Sequence, residues 1–178
     1  AQLPSYRVPG DKSGDRWARL RQSQLCTART VPRTALVVTA DCGDAENIHP
    51  KNKYPVGMRF AAAAEELVYG GKEPGTLTLP GPVTVEGCKV TVPVGGIRNG
   101  LASRSEESGF ELRDMAGNWH PADLHIRGNL LELTSAEAPV PTGVRYAWGN
   151  VNTLTVYHKS GLPLPPFTFD IEPKTTER

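Results

Sequence analysis

One loop of this 178-residue chain gathers side chains that can move protons. Asp41, Asp44, Glu46 and His49 fall within Asp41-Cys42-Gly43-Asp44-Ala45-Glu46-Asn47-Ile48-His49, and Pro50 stiffens the far side. Glu46 and His49 stand three apart. A carboxylate beside an imidazole can accept from Nδ1–H, fix the tautomer and stabilise the imidazolium. Nε2 is then free to take a proton from a nucleophile. The acid-x-x-His spacing therefore fits general-base catalysis by His49. The same residues also fit a plainer reading, an acid-capped helix start with a solvent-facing histidine.

No nucleophile accompanies this loop. The chain has no G-x-S-x-G. Ser13, in Gly10-Asp11-Lys12-Ser13-Gly14, resembles a phosphate loop but lacks the strand before it. Ser23, in Arg21-Gln22-Ser23-Gln24, falls inside a predicted helix, where no sharp turn presents its hydroxyl. His49 with Asp41, Asp44 or Glu46 would suit a hard cation only weakly, so metal use ranks below acid–base use. Cys26, Cys42 and Cys88 form an odd set without C-x-x-C, so no disulfide framework or zinc site is signalled. One bridge plus a free thiol, or three buried thiols, are the expectations. No cofactor is expected. His120, His125 and His158 read as residues of strand surfaces or ends, and Trp119, Tyr146 and Trp148 as core aromatics, with one of them stacking against a carbohydrate as the alternative.

The loop needs elements to hold it. Asp15 to Leu25 predicts a helix with Trp17, Leu20 and Leu25 on its buried face. Thr34-Ala35-Leu36-Val37-Val38-Thr39-Ala40 is short, apolar and β-branched, as in a parallel-sheet strand buried on both faces. The loop follows it, where sites gather in open α/β sheets. A second helix is predicted from Lys53 to Tyr69, with Val56, Phe60, Ala63, Ala64, Leu67 and Val68 buried, and Gly70-Gly71 ends it. From Lys72 the pattern changes to short strands. These include Val83–Val85 with Lys89–Val92, Phe110–Arg113, Ala122–Ile126 with Leu130–Thr134, and Val144–Trp148. Turn signals every 8–12 residues suggest an antiparallel sandwich. The expected fold is α/β plus all-β, with a boundary near residue 72, an extended tail from Pro163 and a frayed end from Thr175 to Arg178.

Composition removes some classes of function. Lys and Arg total 20 against 19 Asp and Glu, a net charge of +1. A nucleic-acid binder that relies on counterion release would be more basic. Mean hydropathy is −0.37, and no apolar run approaches the roughly 18 residues of a membrane span. With 18 Gly and 16 Pro, turns are favoured over a helical bundle. Ala1-Gln2-Leu3-Pro4 has neither the basic nor the apolar region of a secretory signal.

The stretch from Thr34 to Asp44, followed by Asn47-Ile48-His49-Pro50-Lys51-Asn52-Lys53, resembles the last sequence block of sialate O-acetylesterases. These are carbohydrate esterases of the SGNH-hydrolase type. The resemblance continues at Val56-Gly57, Gly109-Phe110-Glu111, Val144–Trp148 and Gly161-Leu162-Pro163 with Pro166-Phe167. It implies that residues 1–72 are the C-terminal piece of a flavodoxin-like hydrolase domain, comprising last strand, catalytic loop and last helix. Residues 73–178 would then be a small antiparallel β-sandwich. It implies a Ser–His–acid hydrolase of O-acetylated sugars with His49 as base. Glu46 holds the family's Asp-x-x-His position, and Asp44 and Asp41 match recurring acids of the loop. The family's Gly-Gln-Ser nucleophile block and its oxyanion Gly and Asn are not in this chain. A base without these cannot supply acyl transfer. The implied partner is an N-terminal portion or subunit carrying the serine, in a secreted, periplasmic or lysosomal enzyme. The alternative is a non-catalytic carbohydrate-binding or interaction module built from residues 73–178.

Overall fold

The structure is a computed structural model and describes residues 1–79, 82–97 and 100–171. The first helix, α1 (Arg16–Thr30), starts where two distant side chains take its free N–H groups. Asp11 accepts from Arg16 N–H at 2.9 Å and Asn150 from Trp17 N–H at 2.8 Å. The predicted apolar face is corrected here. Leu20 is 47% exposed and Trp17 half-buried, while Ala18, Arg21 and Leu25 are buried. Arg21 is fully buried because four backbone carbonyls replace its water. Its guanidinium donates to Leu3 O at 2.8 Å, Pro4 O at 2.9 Å, Gly149 O at 2.7 Å and Asn150 O at 2.9 Å.

Residues 34–39 belong to no helix or strand. Gln2 N–H donates to Val37 O at 2.7 Å and Ser5 N–H to Ala40 O at 3.3 Å. The partners advance in the same sense, so the N-terminal segment runs parallel beside them. The sheet neighbours that a fully buried parallel strand requires are not among the described residues. A short 3-10 turn (Ala40–Cys42) then opens the loop.

The second helix, α2 (Tyr54–Leu67), begins with Pro55 in its first turn, where a missing N–H costs nothing. Its predicted buried stripe is largely open. Only Ala63 is buried, while Phe60 is 46%, Leu67 52% and the following Val68 70% exposed. Tyr54 and Met58, on another side of the helix, are exposed too.

From residue 84 the chain is β. The strands are β1 (Thr84–Glu86), β2 (Lys89–Pro93), β3 (Leu101–Ser103), β4 (Phe110–Arg113) and β5 (Trp119–Pro121), then β6 (Asp123–Arg127), β7 (Leu130–Thr134), β8 (Gly143–Tyr146), β9 (Val156–His158) and β10 (Phe167–Asp170). Two four-stranded antiparallel sheets form, ordered β1-β2-β7-β6 and β10-β8-β4-β5, and β3 pairs with β9. Alternation sends Val90, Val92, Leu131 and Leu133 from one sheet and Phe110, Leu112, Val144 and Tyr146 from the other into one apolar cluster. The predicted hairpins match these strands, and Gly87 and Gly128 turn two of them at φ +61° and +64°. Of the proline-rich tail, Phe167–Asp170 is a strand paired to β8 rather than a loose extension. The expected frayed end, Thr175–Arg178, lies outside the described residues.

The cluster also takes Leu25 of α1 and Val38 and Ala40. Gln22 reinforces the join, since its amide donates to Thr168 O at 2.8 Å and its carbonyl accepts from Thr168 N–H at 3.0 Å. The change of pattern near residue 72 therefore does not divide the core. All three cysteines are free, with Cys26 and Cys88 exposed and Cys42 half-buried, so neither a bridge nor three buried thiols is found. Replacing Arg21 by Met strands Leu3 O and Gly149 O, while Pro4 O keeps Trp17 Nε1–H and Asn150 O keeps Tyr6 N–H, and is expected to lower the unfolding free energy by about 3 kcal/mol in urea titrations. Leu20→Ala should change it by less than about 0.5 kcal/mol.

Candidate functional site

Asp41 is the best-anchored acid of the loop. Arg59 of α2 donates from Nη1 and Nη2 to its two oxygens at 2.6 and 2.7 Å. The pair is mostly covered, with side-chain exposures of 12% for Arg59 and 17% for Asp41, although the backbone around Asp41 is open. Arg59 Nη1 also donates to Val38 O at 2.9 Å, and Tyr157 of β9 donates to Asp41 Oδ2 at 3.2 Å. Burial raises the Asp41 carboxyl, but the hydrogen bonds and charge of Arg59 outweigh it and hold it below the ordinary value. Burial and the Asp41 charge push the Tyr157 phenol far upward. The same two causes push the Cys42 thiol up to about 11, so it is a neutral thiol at neutral pH and a poor nucleophile.

The rest of the loop is built from two side-chain turns. Asp44 Oδ1 accepts from Glu46 N–H at 2.9 Å, and Asn47 Oδ1 accepts from His49 N–H at 2.9 Å. Glu46 pairs with Arg7 at 2.7 Å, both side chains about 70% exposed. His49 is exposed, and its ring has no hydrogen bond among the described residues. The structure thus keeps Asp41, Asp44, Glu46 and His49 on one loop but puts no carboxylate against the imidazole. It gives Asp41 to Arg59 and Glu46 to Arg7. Gly43 presses on the N-terminal segment so closely that a Cβ there would overlap the Ser5 backbone. Ser5 Oγ in turn lies 2.8 Å from both Ala40 O and Asn152 Oδ1.

The serines weighed as nucleophiles are engaged elsewhere. Ser13 Oγ donates to Asp11 at 2.6 Å before α1, and Ser23 Oγ to Arg19 O at 3.2 Å on the open face of α1. The other histidines have other partners or surroundings. His120 Nε2 is 2.8 Å from Asp114 Oδ2, and that bond raises its pKa despite burial. His125 is exposed on β6, and His158 is buried with Nδ1 2.8 Å from Ser160 Oγ. Tyr146 is a core aromatic stacked on Phe110 at 4.4 Å, whereas Trp119 and Trp148 are only half-buried. No group of three or more His, Cys, Asp or Glu among the described residues is arranged to hold a metal ion. None of the described helices is long and apolar enough to cross a membrane.

Three residues of this site were not singled out from sequence. Arg59 carried a signal, as the one cation in an otherwise apolar stretch of α2. Arg7 and Tyr157 carried none, since Tyr157 meets Asp41 across 116 positions.

No protein-family model matches the chain. A sialate O-acetylesterase from Rattus norvegicus is 29% identical over 163 residues, covering 78% of this chain and 28% of that enzyme. A crystal structure of a carbohydrate acetylesterase from Xanthomonas citri matches with a TM-score of 0.84 at 29% identity, covering 96% of this chain and 40% of that one. The chain therefore spans less than half the length of either relative.

The Asp41–Arg59 pair sets a pH dependence. A carboxyl held below its unfolded value of 3.8 stabilises the fold above that value, and the contribution is lost as pH falls through the folded pKa. Unfolding free energy should fall on acidification below about pH 4. Asp11 and Asp114, also lowered, contribute in the same window. In Arg59→Met burial opposes only the weaker hydrogen bonds from Tyr157, Cys42 and the backbone, so this part of the slope should shrink or reverse. Urea titrations from pH 6 to pH 2.5 on both proteins, compared by difference, check it.

Proposed function

We propose, starting from the chain's match to a C-terminal portion of carbohydrate acetylesterases, that it supplies the histidine and acid of a Ser–His–acid site for removing O-acetyl groups from sugars. The serine and the oxyanion donors come from a portion of the same enzyme outside this chain. The observation that carries this reading is α2. It stands directly after the His49 loop and bears Tyr54, Met58, Phe60 and Leu67 exposed on several sides. Although Arg59, Glu65 and Glu66 also lie on α2, exposed apolar residues on two of its sides mark surface to be covered. Segment 34–39 supports the same reading, because it is partly buried and joins no strand among the described residues. Both are what the last strand and last helix of a larger hydrolase domain would be when the remaining elements are taken away. We read the two four-stranded sheets as the accompanying β-sandwich, and the enzyme as acting outside the cytosol.

In this mechanism His49 Nε2 takes the serine proton as the hydroxyl attacks the acetyl carbonyl, then returns it to the leaving sugar oxygen. Its exposed position leaves it open to a serine arriving from outside. Glu46 is the proposed acid partner and Asp44 the second choice. The Glu46–Arg7 pair is exposed, and such pairs contribute only about 0–1 kcal/mol, so Glu46 can leave Arg7 at little cost. Asp41 is committed to Arg59 and Tyr157 and acts as an anchor of the loop. A free-standing binding module of residues 73–178 is the lesser reading, because Leu25, Val38 and Ala40 complete its core.

Combining this chain with the serine-bearing portion should give acetate release from acetylated sugars. His49→Ala should lower kcat roughly 10²- to 10⁴-fold, and His125→Ala should leave it unchanged. Glu46→Gln should cost more than Asp44→Asn. Full activity in His49→Ala would refute the assignment.

A further inference from the structure

Away from the His49 loop, the β region carries a groove of about 890 Å³. Its near rim is the loop after β3, with Glu106 and Glu107. Trp148 and Thr153, which follow β8, also line it, and half-buried Leu124 contributes apolar surface. Volumes of about 300–1,000 Å³ are those of small-ligand clefts. The charge is one-sided. Glu106, Glu107, Glu111 and Asp123 line the groove, and no Lys or Arg among the described residues does. Glu111 is neutralised by Arg145, at 2.6 and 2.8 Å. The other three are exposed and make no ion pair among the described residues.

We propose that this groove is a carbohydrate subsite for a neutral, hydroxyl-rich oligosaccharide. The inference rests on the carbohydrate part of the reading above and narrows its substrate class. A carboxylate accepts hydrogen bonds from sugar hydroxyls, and its two oxygens can take neighbouring hydroxyls together. The half-buried indole of Trp148 offers an apolar face for a pyranose ring. Three uncompensated carboxylates repel a sugar that carries its own carboxylate, so a sialylated chain is disfavoured here. The acids are not grouped as metal donors. A basic peptide would satisfy the charge but leaves the aromatic wall and the sugar chemistry of the relatives unused.

The test uses the whole chain labelled with ¹⁵N, whose three tryptophans give three indole N–H signals. Trp148→Phe assigns one of them. Titration with cellohexaose should move the Trp148 signal with Kd on the order of 1 mM. The Glu107→Ala/Asp123→Ala double variant alters only exposed side chains, so it keeps the native amide spectrum, and it should weaken binding roughly fivefold or more. A sialic acid hexamer should move nothing. The proposal is overturned if cellohexaose leaves the Trp148 signal in place, if the double variant binds it equally well, if the sialic acid hexamer binds as tightly, or if hexalysine binds and cellohexaose does not. None of these outcomes bears on acetate release, so a failure here is distinct from a failure of the His49 assignment.

Discussion

A positive charge sealed inside the protein organises the N-terminal third. Arg21 has no carboxylate partner, and burial alone pushes its pKa down to about 10. It stays charged at neutral pH, so its donors must be met. The carbonyls of Leu3 and Pro4 meet them from one side and those of Gly149 and Asn150 from the other. An unmet buried donor costs more than a made bond returns, which is what makes such a contact specific. The N-terminal segment is thereby held between α1 and the chain that follows β8. From that position it can run beside residues 37–40 and press on Gly43.

A second cation carries the order onward to the candidate site. Arg59 reaches from α2 to Asp41 and Val38, and Tyr157 reaches the same carboxylate from β9. The start of the His49 loop is therefore fixed by a helix, the segment 34–39 and a strand far apart in sequence. The end of the loop is held by its own side-chain turns, an exposed ion pair and one backbone bond, Arg7 N–H to Ala45 O at 2.8 Å. A firm start and an adjustable end suit a base that must settle against a partner supplied from elsewhere. The β region is part of this support rather than a passive attachment.

The hairpins were legible because alternation and glycine turns are local signals. Val90, Val92, Leu131 and Leu133 alternate inward, and Gly87 and Gly128 mark the turns. Both helices were legible from their periodicity, but their buried faces were not. Hydrophobic pattern treats Arg21 as a surface residue and Leu20 as core, and the reverse holds because backbone carbonyls were available to the guanidinium. In α2 the pattern marks a stripe to be buried, but among the described residues only Ala63 of it is buried. The strand expected at 34–40 did not form, since the N-terminal segment beside it gives only the backbone bonds from Gln2 and Ser5 to Val37 and Ala40 and no ladder. The loop itself was found from residue types alone. Its pairings were not, because Arg7 and Tyr157 reach it through the fold.

The central claim is that His49 activates a serine outside this chain. A fluorophosphonate, which reacts with serines made nucleophilic by a neighbouring base, tests it directly in the full-length enzyme. The account predicts labelling of a serine N-terminal to this chain that is lost in His49→Gln and retained in His125→Gln. Labelling that persists without the imidazole at position 49 would contradict it.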